Sequence, residues 1–138
     1  MFLRVIPHLR LLWTHRRARP LFDKEFYLAR YPDVAAAGAD PWLHYLMHGA
    51  AERRKPHPLF DPNYYLSQHP EGLLSTGDPL MHFLEAPNWA DPHPLFNSES
   101  YLRAHPAAAA QRINPLLHYV QSKRDQLATP EGGSFGVT

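Results

Sequence analysis

Residues 20–57 read PLFDKEFYLARYPDVAAAGADPWLHYLMHGAAERRKPH, and this frame opens twice more in the same chain. Residues 58–93 read PLFDPNYYLSQHPEGLLSTGDPLMHFLEAPNWADPH. Residues 94–129 read PLFNSESYLRAHPAAAAQRINPLLHYVQSKRDQLAT. The units start at Pro20, Pro58 and Pro94, 38 and 36 residues apart. A period of this length predicts stacked helical units, none of which can bury its apolar face alone. Phe22, Phe60 and Phe96 align, as do Tyr27, Tyr65 and Tyr101. His44, His82 and His118 align too, each followed by an aromatic residue: Tyr45, Phe83 and Tyr119.

Each unit has two helix-start signals. Asp23, Asp61 and Asn97 are N-cap residues, with a phenylalanine before the cap and a tyrosine four after it, the spacing of a hydrophobic staple. The first helix should stop near Pro32, Pro70 or Pro106, because the residue before a proline avoids the α region. A short turn rich in Ala or Leu should follow. The second start is Asp40-Pro41, Asp78-Pro79 and Asn114-Pro115, an N-cap with proline at the first helical position. Trp42, Tyr45 and Leu46, like Leu80, Phe83 and Leu84, then mark one buried helical face. Pro56-His57-Pro58 and Pro92-His93-Pro94 are expected to link the units in extended conformation. No segment shows the alternation of a strand. The expected fold is all-α: three tandem helix-turn-helix repeats behind an N-terminal amphipathic helix. Whether the array stays open or closes is left undecided by the pattern.

The proline excess now has a cause. The chain holds 15 prolines in 138 residues, about twice the usual share. Nine fall in the three aligned sets Pro20/58/94, Pro32/70/106 and Pro41/79/115. With 44 % hydrophobic residues the chain is too apolar for a disordered proline-rich linker. It has no cysteine, which excludes disulfides and a Cys nucleophile. A net charge of +1 argues against a nucleic-acid partner.

That near-neutral total hides an asymmetry. Residues 1–19 carry Arg4, Arg10, Arg16, Arg17 and Arg19 and no acid. The remainder holds nine cations against thirteen acids. Phe2, Val5, Ile6, Leu9, Leu12 and Trp13 share one helical stripe, with Arg4, His8 and His15 opposite and Arg16 straying onto the stripe. Pro7 should start or kink this helix. The apolar run is too short to cross a membrane, and arginines interrupt it too often for a signal peptide. Two readings stand: the stripe caps the first repeat, or it lies on an anionic membrane surface. The expected organisation is 1–19 basic segment, 20–57, 58–93 and 94–129 repeats, and 130–138 flexible tail.

The chemistry-bearing residues point mainly to structure. His44 and His48 are four apart on one helix face, a spacing that suits a metal, but Ala86 and Ser122 replace the second histidine elsewhere. His57 and His93 are candidate surface ligands. Asn97 and Asn114 stand where the other units have Asp; a cap tolerates that exchange and a general base does not. Glu52, Glu71, Glu85 and Glu99 occupy non-equivalent places. No phosphate-binding glycine loop, calcium loop or nucleophile elbow occurs. No catalytic residue, metal ligand or cofactor is expected. The candidate binding surface is Trp89, Tyr64, Arg53 and Arg54, where aromatic rings stack on sugars and cations meet an acidic partner.

The first unit, with Phe22-Asp23, Tyr27-Leu28, Pro32-Asp33-Val34, Gly38, Asp40-Pro41, His44-Tyr45-Leu46, Gly49 and Glu52, resembles a repeat found beside bacterial glycosyltransferase domains of surface-polysaccharide synthesis. That repeat reads FDxxYYLxxYPDVAxAGxDPLxHYLxxGxxEGRxP. The resemblance covers residues 20–129. Arg53 stands where the pattern has glycine. Unit two loses the end of the motif, and unit three replaces its Pro-Asp-Val-Ala stretch with an alanine run. The resemblance implies an accessory module, since a sugar-nucleotide transferase domain needs roughly 200 residues or more of α/β sequence. The implied partner is a glycosyltransferase domain or a glycan, at the cytoplasmic membrane face. The alternative is a small carbohydrate-binding or surface-associated protein.

Overall fold

The computed structural model describes residues 7–72, 78–85 and 90–128. The chain is all-α, and no sheet occurs among the described residues. The elements are α1 (Pro7–Thr14), a 3-10 segment (Arg16–Leu21), α2 (Lys24–Arg30), α3 (Pro32–Ala37) and α4 (Pro41–His44), which continues as a π-turn over Tyr45–Gly49. Then follow α5 (Pro62–Gln68), α6 (Pro79–Glu85), α7 (Ser98–Ala104), α8 (Pro106–Ala110) and α9 (Pro115–Ala128).

The caps form as the sequence requires. Asp23 accepts from the Phe26 N–H at 3.0 Å, and Asn97 accepts from the Ser100 N–H at 2.7 Å. Asp61 accepts from the N–H groups of Asn63 and Tyr64. Asp40 and Asn114 each accept from the N–H three residues on, and Asp78 from the N–H of Leu80. Each cap satisfies a donor that the first helical turn leaves open.

The link between the two cap signals differs from the expectation. Pro32 and Pro106 do end the preceding helix, but each also begins a helix of its own, α3 and α8. A proline at the first helical position needs no N–H donor, so the same ring that breaks one helix starts the next. The Ala-rich stretches expected to turn, VAAAG and AAAAQRI, therefore begin as helix, through Ala37 and Ala110. The Ala run supplies the propensity and the turn comes only after it. That turn needs a left-handed residue: Gly38 at φ +68°, and Arg112 in the corresponding place at φ +58°. In the second unit the matching stretch, 73–77, lies outside the described residues.

The Pro-His-Pro joints also differ. They are turns, not extended links. The Phe60 N–H bonds the His57 carbonyl at 3.0 Å, and the Phe96 N–H bonds the His93 carbonyl at 3.0 Å. Nδ1 of each histidine accepts the N–H two residues on, from Leu59 and Leu95, both at 3.0 Å. The joints then tie back to the preceding unit. The Asp23 N–H donates to the Pro56 carbonyl, and the Asp61 N–H to the Pro92 carbonyl, both at 2.8 Å.

The core is a set of aromatic triangles. Phe22, Tyr27 and Tyr45 have centroids 5.0 to 6.0 Å apart, with Tyr45 edge-on to Tyr27 at 88°. Phe60, Tyr65 and Phe83 lie 5.5 to 5.6 Å apart, with a 77° edge contact. Phe96, Tyr101 and Tyr119 lie 5.4 to 6.2 Å apart, with an 87° edge contact. Edge-on geometry sets the positive ring edge against the negative face. The first two triangles are fully buried, and each ring contributes about 1.5–3 kcal/mol by leaving water. Tyr101 and Tyr119 in the third triangle are half-buried.

The chain closes on itself. The 3-10 segment buries Ala18 and Leu21 completely and packs against α9 and α6. The Arg124 guanidinium donates to the Pro20 carbonyl at 2.9 Å, across 104 residues of sequence. His15 Nε2 lies 3.7 Å from Asp78, and Arg17 lies 3.7 Å from Glu85. The segment runs across the expected boundary at residue 19. Residues 15–21 thus plug the space between the second and third units. Helix α1 leaves Leu9 60 % and Trp13 66 % exposed, while Leu12 packs on the core. The rest of the expected stripe, Phe2, Val5 and Ile6, lies outside the described residues, as does the 130–138 tail.

Candidate functional site

The residues most suggestive of chemistry are the one tyrosine and one histidine that recur in every unit. The structure brings them together three times. Tyr27 Oη lies 2.9 Å from His44 Nδ1. Tyr65 Oη lies 2.6 Å from His82 Nδ1, and Tyr101 Oη lies 2.6 Å from His118 Nδ1. All three pairs are 17 residues apart. The staple places the tyrosine, and the Asp-Pro or Asn-Pro start places the histidine at the fourth helical position, pointing back at it.

The electrostatics assign the proton. Burial pushes the Tyr27 and Tyr65 phenols well above their ordinary value, and Tyr101 in the same direction. The phenol therefore keeps its proton, and where it donates that proton to Nδ1 the imidazole proton sits on Nε2. Burial first, and then the charge of Arg54, push His44 down and favour this neutral form. A phenol held this firmly is a poor general acid or base near neutral pH.

A second aromatic layer sits beside each pair. Tyr31, His69 and His105 occupy corresponding places, with ring centroids 5.0, 5.3 and 4.0 Å from Tyr27, Tyr65 and Tyr101. The Tyr31 hydroxyl accepts the Lys55 N–H at 2.8 Å. Sequence reasoning missed this layer because its residue type changes from unit to unit.

The candidate binding residues differ in role, although the Arg53 guanidinium reaches Asn63, the residue beside Tyr64. Trp89 lies outside the described residues. Tyr64 is half-buried, and its backbone N–H is taken by the Asp61 cap. Arg54 is spent on its own fold. It grips both oxygens of Asp33 at 2.9 and 3.0 Å, bonds Glu52 at 2.8 Å and stacks 4.8 Å over the Tyr31 ring. That hydrogen-bonded grip holds the Asp33 carboxyl below its usual range. Arg53 is exposed at φ +62°, with its guanidinium 3.3 Å from Asn63 Oδ1. It stands where the repeat pattern has glycine, and its backbone adopts the conformation that glycine favours. Trp42, expected on the buried face of its helix, is in the core at 5 % exposure.

Among the described residues the histidines form no metal centre. His44 and His48 have ring centroids 5.5 Å apart. Among the described residues no group of three or more His, Asp or Glu side chains converges as a metal site would require. His57 and His93, the candidate surface ligands, use Nδ1 to hold their own turns.

Asp78 is the one carboxylate among the caps that is deeply buried, at 5 % exposure. Its Oδ1 accepts from the Leu80 N–H at 3.0 Å and from the Tyr45 hydroxyl at 3.3 Å. Burial raises its carboxyl, and His15 opposes the shift. Asn114 fills the same place in the third unit as a neutral cap, its amide donating to the Phe83 carbonyl at 3.3 Å.

Comparison with protein-family models, with curated proteins and with solved structures finds no match to this chain. Among the described residues no helix is long and apolar enough to cross a membrane.

Proposed function

We propose that the chain is a non-catalytic helical module that docks or positions a glycosyltransferase, or the glycan it extends, in bacterial surface-polysaccharide synthesis. The observation that carries this reading is the threefold Tyr–His hydrogen bond. The recurring residues with chemical potential are turned inward on each other, and the recurring carboxylates cap helices. A unit whose polar residues build its own interior offers partners a shape and a surface. The resemblance of residues 20–129 to transferase-associated repeats supplies the class of partner.

The module works at the cytoplasmic membrane face. Leu9 and Trp13 are exposed on α1, with Arg10, Arg16 and Arg17 exposed on or just after the same helix. Arg16 lies 3.7 Å over the Trp13 ring. An apolar side flanked by cations suits the boundary of an anionic bilayer.

Affinity purification of the tagged chain from bacteria, with identification of its partners, tests the docking. Enrichment of a nucleotide-sugar glycosyltransferase supports it. Direct binding on a glycan array without any transferase moves the assignment to a carbohydrate-binding protein. Pelleting with anionic vesicles that is lost in Leu9→Ser/Trp13→Ser tests the membrane face. Equal pelleting of both chains contradicts it.

A further inference from the structure

Where the chain closes, it leaves a cleft of about 710 Å³ between the start of α2, the His57 turn and α9. A volume of this order is typical of small-ligand sites. Its lining is divided by chemistry. Arg19, Lys24, Lys123 and Arg124 supply four cations, against the carboxylates of Asp23 and Glu25. Asp23 is held as a helix cap, its Oδ1 accepting the Phe26 N–H. Among the described residues, Arg19, Lys24 and Lys123 form no ion pair with a carboxylate. The apolar lining comes from Phe22, Leu59, Val120 and the half-buried ring of Tyr119. His57 contributes as a neutral donor: its Nδ1 is taken by the Leu59 N–H, so its remaining proton is on Nε2.

We propose that this cleft binds a small organic anion, a phosphate or carboxylate carried on an apolar ring. The anionic group would lie among Lys24, Lys123 and Arg19, and the ring against Tyr119, Val120 and Leu59. Three observations converge on this ligand. The cations outnumber the acids in a chain whose remainder after residue 19 is net acidic. The cations border an apolar wall, so bare inorganic phosphate would leave that wall wet. The site exists only because distant parts of the sequence meet, with Arg124 fixing α9 to Pro20. Arg124 is therefore part of the frame, and Lys24 and Lys123 are the residues to alter. Both are exposed, and substitution there leaves the core intact.

The proposal goes beyond the docking role and does not depend on it. The test is titration of the full chain with phenyl phosphate, benzoate, phenol and inorganic phosphate, followed by backbone amide NMR shifts. Saturable shifts at Lys24, Leu59, Tyr119 and Lys123 with phenyl phosphate or benzoate are expected, and the tighter of the two identifies the anion. Lys24→Glu/Lys123→Glu should weaken that binding by about tenfold or more, as should added salt. Absence of saturable shifts with both anions overturns the proposal. So does phenol binding as tightly as its phosphate ester, or binding unchanged in the charge-reversed variant. Retained amide dispersion in that variant shows that the fold survives, so a loss of binding reports the site.

Discussion

The Tyr65 hydroxyl sits 2.6 Å from Nδ1 of His82, and the same contact joins Tyr27 to His44 and Tyr101 to His118. Each bond ties the helix opened by the Phe-Asp or Phe-Asn staple to the helix opened by the following Asp-Pro or Asn-Pro. It is the polar counterpart of the aromatic triangle beside it. Tyr65→Phe should destabilise by about 1 kcal/mol, since it removes one net hydrogen bond and leaves the ring in place. His82→Ala should cost more, about 1–3 kcal/mol, because it also leaves the Tyr65 hydroxyl without its partner. A double-mutant cycle in urea should return a coupling of about 0.5–1.5 kcal/mol. Additive effects would show that the bond contributes nothing.

Stability should fall on both sides of neutral pH, for two different reasons. His44 and His57 are held below their ordinary 6.5 by burial. The unfolded chain therefore takes up protons that the folded chain resists. Their contribution is complete above 6.5 and falls as the pH drops from there toward the lower folded values. Tyr27 and Tyr65 are raised above their ordinary 10.0. Their contribution is complete below 10.0 and falls as the pH rises beyond it, where only the unfolded phenols ionise. Asp78 acts in the opposite sense to the histidines, since its raised carboxyl favours the folded state at the acid end. The variant His57→Asn isolates one histidine, because an Asn side chain can hold the same turn by accepting the Leu59 N–H. Urea midpoints across the pH range should show a flatter acid limb in the variant. An unchanged limb would show that His57 does not carry it.

Two arginines occupy backbone positions better suited to glycine. Arg53 has φ +62° and Arg112 has φ +58°, and Gly38 adopts φ +68° at the place in the first unit that matches Arg112. A left-handed conformation costs a residue with a Cβ about 1–2 kcal/mol. Arg53→Gly and Arg112→Gly should each stabilise by about 0.5–1 kcal/mol after the extra freedom of glycine in the unfolded chain is offset. The two sites share no partner, so the gains should add in thermal melts. A loss at position 53 would show that the bond to Asn63 outweighs the backbone strain.

Gly49 has the reverse requirement. It lies in the π-turn directly against the Tyr27 ring, and a Cβ there would overlap the Tyr27 hydroxyl. Gly49→Ala should destabilise by about 1–3 kcal/mol, the usual cost of overpacking. Removing the hydroxyl with Tyr27→Phe should recover part of that loss, and a denaturation cycle over the four chains measures it. No recovery would place the clash elsewhere.

Much of the fold was legible because its signals are local. Asp23, Asp61 and Asn97 cap through one or two bonds to N–H groups two or three residues on, and Phe22 meets Tyr27 five residues away. The expected all-α class follows from such marks. Other features were obscured for physical reasons. Pro32 carries two opposite messages, stop and start, and only the helix after it reveals the second. His57 closes a turn with its own side chain, which a Pro-His-Pro string does not announce. The grip of Arg54 was obscured because two of its partners, Asp33 and the Tyr31 ring, lie 21 and 23 positions earlier in the chain. The cleft was invisible altogether, since it depends on α9 returning to Pro20 across 104 residues. Of the candidate binding surface, Arg54 is tied to Asp33 and Glu52, and Arg53 is exposed.

The imidazoles of His44, His82 and His118 are engaged inside the fold through Nδ1. Long-range proton–nitrogen correlation of the histidine rings, recorded on the intact protein at mildly alkaline pH, reads this directly. The expected result is a single tautomer at all three residues, with the proton on Nε2 and Nδ1 carrying the shift of a hydrogen-bond acceptor. Protonated Nδ1, or averaged signals from exchanging tautomers, would contradict it and return these histidines to the candidates for ligand binding or catalysis.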